Sequence, residues 1–331
     1  MSDSTPILRR VQQFLQQEYS RDYTSAKVTP LPGDASTRQY FRYQGSEQSF
    51  ILAVYPDGFD REDFSYHQIY ELLRGIGLPV PKIITLDPKR GIVLQEDLGD
   101  ELLQHTLGTA PPTQRKHLLS TAIDHIVTIQ RDGPEALRPE YQASELVFDQ
   151  EKLNWELLFF RRHYLGDHRR LSPIDDHQLR AEFDQLSAEL ADLPHCLCHR
   201  DYQVRNLMVK DDILYITDFQ DARWGPFSYD LTSLLKDSIE LTEEEVRHYQ
   251  AYYLGQGTFP DGPQEFLRQF QLMCIQRLLK ALGTYGYQIA VAGKDIYGQY
   301  IPGSLARVLD ALQSVPEFPY IQSVIEKELD P

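Results

Sequence analysis

The sequence predicts an α+β fold of two lobes, a small antiparallel β-sheet lobe over residues 1–98 and a larger α-helical lobe over residues 99–331. Three observations lead there. Short β-prone runs alternate with turn signals up to residue 55, the apolar spacing becomes helical after residue 100, and the helical half is interrupted once by strand-like sequence near residues 195–220. With 331 residues, 41% of them hydrophobic, the chain can bury a large core.

The opening, MSDSTPILRRVQQFLQQEYS, has the spacing of an amphipathic helix and lacks the apolar core of a secretion signal, so a cytoplasmic protein is expected. The runs TSAKVTPL, TRQYFRY and SFILAVY follow, separated by PGDAS and QGSEQ, and predict a small antiparallel sheet. Ile69, Leu72, Leu73 and Ile76 fall at helical spacing within 61–76, and Gly75, Gly77 and Pro79 stop that helix. Two strands are predicted near 82–87 and 91–96 with a turn at Asp87-Pro88, closing the first lobe at Asp97-Leu98-Gly99. Beyond it, Leu119, Ala122, Ile123, Ile126 and Val127 repeat with helical period, as do residues in 149–165, 176–192, 242–255 and 263–293. The interruption, HCLCHRDYQVRNLMVKDDILYITDFQ, reads as strand, loop, strand, turn at Asp211-Asp212, strand and loop, with polar residues gathered in the loops.

Composition narrows the function. A formal charge of −16 and a pI near 5.0 argue against nucleic acid or an anionic membrane surface as partner. No run approaches the roughly 18 apolar residues of a membrane span. No obligate protein partner is evident. Three cysteines give no disulfide framework. Cys196, Cys198 and His199, with His195, offer zinc-ligand types, but in a strand the two cysteines share one face and serve as small buried apolar groups.

The chemistry-bearing signal is His199-Arg200-Asp201 followed by Asn206, which fits the kinase catalytic loop H-R-D-x-x-x-x-N. Asp218-Phe219-Gln220 comes 12 residues after Asn206 and fits the first two places of D-F-G. A strand ending near Asp201, a turn back to Asn206 and a hairpin strand delivering Asp218 would set a carboxylate and an amide oxygen around one Mg²⁺. Phosphoryl transfer needs such a set because charge spreads over the transferred oxygens and catalysis is mostly positioning. Asp201 is then the group that accepts the acceptor's proton. Asp230, in SYDLTSLL, can cap the helix that follows it.

These residues resemble the aminoglycoside phosphotransferase (choline-kinase-like) family of the protein-kinase-like superfamily. Within it the chain is most similar to the cell-wall-recycling amino-sugar kinases. The likeness runs over most of the chain: GDASTRQYFR at 33–42, LQEDLGDELL at 94–103, LNWELLFFRRHYLG at 153–166, HRDYQVRNLMV at 199–209 and DFQDARWGPFSYDLTSLLKD at 218–237. It implies a two-lobed protein-kinase-like fold, ATP and Mg²⁺ as cofactors, and transfer to a small sugar at its anomeric hydroxyl, for example on N-acetylmuramate or N-acetylglucosamine. Further implications are adenine held by the backbone of Glu96-Asp97-Leu98, phosphates under the turn carrying Ser36, Thr37 and Arg38, and Asp230 steadying His199 and Arg200. Trp155, Glu156, Asp221 and Trp224 are the side chains expected to line the sugar site.

Two departures from the kinase pattern stand out. The strand SFILAVYPDG has no basic residue where a kinase places its phosphate-binding lysine, and Gln203 stands where many relatives are basic. Arg38, Arg42 and Arg205 are the candidate replacements, with Arg205 favoured because it lies inside the catalytic loop. Two other readings follow: a kinase of an aminoglycoside or other small cationic alcohol, and a nucleotide-binding pseudoenzyme suggested by the missing lysine. Intact Asp201, Asn206 and Asp218 argue against the second, while bulk acidity suits either enzyme.

Overall fold

The computed structural model describes residues 4–18, 27–31, 38–46, 48–171, 175–257, 259 and 262–329. Strands Lys27–Leu31 (β1), Gln39–Gln44 (β2), Ser49–Val54 (β3), Ile83–Asp87 (β4) and Ile92–Glu96 (β5) form one antiparallel sheet in the order β1-β2-β3-β5-β4. Alternation along β3 gives each face of the sheet its cover. Leu52 and Val54 meet Val11, Phe14 and Leu15 of helix Ser4–Glu18 (α1). Ala53 faces Tyr66, Ile69 and Leu73 of helix Ser65–Gly75 (α2).

The second half contains helices Leu103–Thr109 (α3), Pro112–Ala136 (α4), Gln150–Phe160 (α5), Asp176–Ala191 (α6), Ser228–Thr232 (α7), Glu243–Leu254 (α8), Gly262–Ala290 (α9), Ile301–Ser314 (α10) and Pro319–Leu329 (α11). α5 runs on through wider π-helical turns at Arg161–His168. The molecule is a two-lobed α+β protein, as its patterning predicts. Among the described residues no helix is long and apolar enough to cross a membrane.

The strand-like interruption forms two ribbons. Leu207–Lys210 (β7) pairs with Ile213–Ile216 (β8), turning through Asp211 and Asp212, both at positive φ as a tight two-residue hairpin requires. His195–Cys198 (β6) pairs with Arg223–Pro226 (β9), a strand that Gly225 and Pro226, poor strand formers, do not announce. The structure shows why glycine is needed there: a Cβ on Gly225 would stand 2.6 Å from the Phe148 ring. Cys196 and Cys198 are buried in the helical core, and no group of three or more potential metal ligands occurs among the described residues.

α9 is buried on most sides along its middle, with Leu272, Met273, Ile275, Leu278, Leu279 and Leu282 in the core, as befits a helix through the centre of a lobe. Two glycines set how closely it lies to the end of α5. A Cβ on Gly283 would meet the Phe160 backbone at 2.8 Å, and one on Gly286 the His163 carbonyl oxygen at 2.5 Å. Backbone, unlike a flexible side chain, cannot swing aside.

Gly286→Ala is therefore expected to lower the melting temperature, with a loss of about 1–3 kcal/mol, although alanine is the better helix former. Gly108→Ala in α3, where a Cβ meets nothing within 4 Å, is the control and should be neutral or stabilising. Thermal unfolding followed by circular dichroism compares the two.

Candidate active site

The catalytic loop leaves β6 at Cys198 and is caught at once by Asp230. This carboxylate, fully buried in α7, accepts the backbone N–H groups of His199 at 2.6 Å and Arg200 at 3.1 Å. Asp230 is the third residue of its helix, so its oxygens serve the loop rather than the helix end. Burial pushes its pKa up, and His199 and Arg277 pull in the opposite direction. The anchoring matters because Arg200 has φ +84°, a conformation that costs a residue with a Cβ. The His199 ring meets the Thr217 carbonyl at 3.0 Å, tying the loop to the end of β8.

Asn206 donates its side-chain N–H to the Asp201 carbonyl at 2.8 Å, which directs its Oδ1 away from that bond. Thr217 returns N–H and hydroxyl donors to the Asn206 carbonyl at 3.0 and 2.9 Å, setting the next residue, Asp218, beside Asn206. Asp218, also at positive φ, accepts Arg38 at 2.9 Å and the Gln220 amide at 3.0 Å on the same oxygen, Oδ1.

Asp201 carries its own set of cations. Lys280 of α9 lies 3.4 Å from Oδ1, and Arg200 lies 3.5 Å from Oδ2 while also pairing with Asp221 at 2.9 Å. Burial alone would raise the Asp201 pKa, but Lys280, Arg200 and Arg277 together hold it well below the usual carboxylate range. Arg277, almost wholly buried, donates to the Arg200 carbonyl at 2.9 Å, to Ser233 at 2.8 Å and to Asp237 at 2.9 Å.

Further from Asp201, Glu156 is 1% exposed; its Oε2 accepts the Gln276 amide at 2.9 Å, and its Oε1, which accepts no hydrogen bond, faces Lys152 at 3.8 Å. Lys152 stands 4.2 Å over the Trp155 ring, which is 55% exposed. Arg223 is only 9% exposed. It lies over Phe148 and donates Nε to the Asp221 carbonyl, yet pairs with no carboxylate among the described residues. Burial, then Arg200, pull its pKa down, and Lys152 is shifted in the same direction by burial with Arg200, Arg223 and Lys280 close by. Lys152, Arg200, Arg223 and Lys280 thus gather around Asp201, Asp221 and Glu156.

Several expected site residues are redistributed. Ser36 and Thr37 lie outside the described residues. Strand alternation puts Trp224 on the face of β9 opposite Arg223, with its backbone bonded to Leu146 and Phe148, so Arg223 takes the inward place expected of Trp224. Arg205 bonds Gln203 at 3.0 Å and lies over Tyr300, because the tight turn that aims Asn206 at Asp201 sends its neighbour elsewhere. Arg42 is committed to Asp97 and Asp100 at the edge of the interlobe connector. Glu96 and the Asp97 carbonyl are both bound by Lys210, and Leu98 is buried.

Sequence reading missed Lys152, Arg223, Gln276, Arg277 and Lys280. One signal for the last three was present: Gln276-Arg277 and Lys280 interrupt the apolar stretch between Leu272 and Leu282, and a buried charge is far more informative than an exposed one.

Residues 27–266 match the phosphotransferase enzyme family. A Pseudomonas aeruginosa protein named N-acetylmuramate/N-acetylglucosamine kinase is 31% identical over 301 residues, covering 88% of this chain and 86% of that protein. A protein of the same name from Neisseria meningitidis is also 31% identical, with 88% and 87% covered. Among solved structures, a choline/ethanolamine kinase family protein from Mesorhizobium loti superposes with a TM-score of 0.62 at 15% identity, over 96% of this chain and 98% of that one. An ADP-bound aminoglycoside phosphotransferase gives a TM-score of 0.61 at 14% identity, over 94% and 98%. At such identities these two speak for the fold.

Arg277→Met should lower both stability and turnover, since it strands the largely covered Asp237 and releases the Arg200 carbonyl; breaking a fully buried pair costs about 3–5 kcal/mol, and this one somewhat less. Arg277→Met/Asp237→Leu should regain much of the melting temperature but little of the activity, because the loop remains unheld. Recovery of both together would show that Arg277 acts only through stability.

Proposed function

The chain belongs to the phosphotransferase enzyme family, and we propose on that basis that it is an ATP-dependent kinase of an N-acetylated amino sugar, N-acetylmuramate or N-acetylglucosamine, acting at the anomeric hydroxyl. The observation that carries the choice of acceptor is the cluster of Lys152, Arg200, Arg223 and Lys280 beside Asp201, in a chain whose net charge is −16. A polycationic aminoglycoside would meet like charges there. A sugar acid such as N-acetylmuramate brings a carboxylate that the unpaired Arg223 can take with two parallel hydrogen bonds. Trp155, exposed and rigid, offers a face for the sugar ring, and the orphan oxygen of Glu156 is an acceptor for an N–H or O–H of the acceptor sugar.

The residues fit a magnesium nucleotide. Asp218 and the Oδ1 of Asn206 are hard oxygen donors, and one carboxylate with one amide leaves room for the phosphate oxygens and water that magnesium prefers. When bound there, the metal would neutralise charge on the nucleotide's terminal phosphates. Asp201 orients the acceptor hydroxyl and takes its proton, with Lys280 and Arg200 fixing the carboxylate's position. A carboxylate flanked by Lys280 and Arg200 is a weaker base than a free one, which suits an acidic hydroxyl. The anomeric hydroxyl is the most acidic of a sugar because the ring oxygen withdraws electron density, which supports the 1-phosphate over the 6-phosphate.

The direct test offers the methyl glycoside, whose anomeric oxygen is blocked while its 6-hydroxyl stays free. No phosphorylation is expected, and a phosphorylated glycoside would overturn the anomeric assignment. Arg223→Gln probes the acceptor site: kcat/KM should fall about tenfold or more for N-acetylmuramate, corresponding to about 1.4 kcal/mol, and markedly less for N-acetylglucosamine, which lacks the carboxylate. An equal loss for both sugars would mean that Arg223 does not read that group.

A further inference from the structure

The cation missing from the phosphate side has a structural answer. The kinase motif V-A-I-K corresponds to Leu52-Ala53-Val54-Tyr55, so a tyrosine stands where the lysine would be. The neighbouring strand fills the same place. β2 and β3 pair Tyr40 with Ala53 and Gln39 with Val54, and the same register carried one residue further sets Arg38 across from Tyr55. Cross-strand neighbours share a face of the sheet, so a side chain from position 38 reaches the region that a lysine at 55 would reach. The Arg38 guanidinium lies 5.8 Å from the Tyr55 ring and 6.0 Å from the Tyr40 ring, and 2.9 Å from Asp218 Oδ1. Below it, Tyr66 stacks on Phe219 at 4.8 Å and bonds Gln95, so α2 presents an aromatic ring at the Phe219 contact.

We infer that Arg38 is the phosphate-binding cation of this enzyme, delivered from the residue before β2 instead of the residue after β3, and that in the nucleotide-free protein it is parked on the carboxylate of Asp218 that would hold the metal. Two features make this arrangement work. A planar guanidinium is held between aromatic rings in a way that an ammonium is not, which suits arginine to a tyrosine-lined slot. Asp218 Oδ1 already accepts both Arg38 and Gln220, so the donor that must leave to free this oxygen is a cation with phosphate as its natural next partner. Arg38 then neutralises Asp218 before nucleotide arrives and the phosphates afterwards. The guanidinium is not left without an anion in either state.

This inference rests on the kinase reading, and its test separates the two. Arg38→Met keeps the apolar stem and removes the charge. Calorimetric titration with ADP and magnesium should show about ten- to hundredfold weaker binding than wild type, the loss of one charge-assisted contact to phosphate. Manganese alone, followed by electron paramagnetic resonance without nucleotide, should bind the variant more tightly, because the competing guanidinium is gone. The opposite signs are diagnostic, since a merely structural role would weaken both. Arg38→Met/Tyr55→Lys, which returns a cation to β3, should recover much of the ADP affinity. Unchanged ADP binding in Arg38→Met, or weaker manganese binding, overturns the inference while the kinase reading stands. A wild-type protein that binds no ADP overturns the reading beneath it. If Arg38→Met does not fold, Arg38→Gln takes its place with the same expected signs and the same overturning results.

Discussion

The active site depends on one buried carboxylate. Asp230 has no exposed surface, and what keeps its charge tolerable is the pair of backbone N–H groups it receives from His199 and Arg200. Those bonds hold Arg200 in a left-handed conformation, which presents its side chain to Asp201 and Asp221. Arg277 closes the arrangement from α9 by taking the Arg200 carbonyl. The loop is thus gripped on both sides of one residue, at the Arg200 N–H and at its carbonyl. If Asp201 is the base proposed above, its position matters within tenths of an ångström, and a scaffold that fixes the backbone beside it supplies that.

Electrostatics in this protein run opposite at two scales. The chain as a whole is strongly acidic, yet the acceptor side of Asp201 gathers cations from α5, β9, the catalytic loop and α9. Bulk charge acts over the Debye length and is screened, whereas charges in a partly buried cleft act on whatever enters it. The close approach of α9 to α5 at Gly283 and Gly286 belongs to the same design, since it brings the helix of Gln276, Arg277 and Lys280 against the helix of Lys152, Trp155 and Glu156.

On the nucleotide side, sheet register allows a residue to be exchanged for its neighbour across the strands. A lysine from β3 and an arginine from the residue before β2 approach the same point, because antiparallel partners share a face. The lysine–glutamate ion pair of kinases then has no counterpart to require, and α2 is free to pack a tyrosine on Phe219. On the reading proposed above, the cation is supplied at the same place in space from a different strand.

Much of this was legible in the sequence, and the division has a physical basis. Periodicity determined the lobes, since the alternation in SFILAVY and the helical spacing of Leu119, Ala122 and Ile126 are set by how each element buries one face. Local spacing determined the shape of the loop as well, because Asp201, Asn206 and Asp218 lie close along the chain and a hairpin leaves them few arrangements. Long-range choices were beyond it. That Arg38 meets Asp218 across 180 residues, that Lys280 meets Asp201 across 79, and that Arg223 rather than Trp224 turns inward follow from strand register and from helices packed at contact distance. A pattern along the chain records which face a residue occupies, and the partner on that face is decided only when the elements come together.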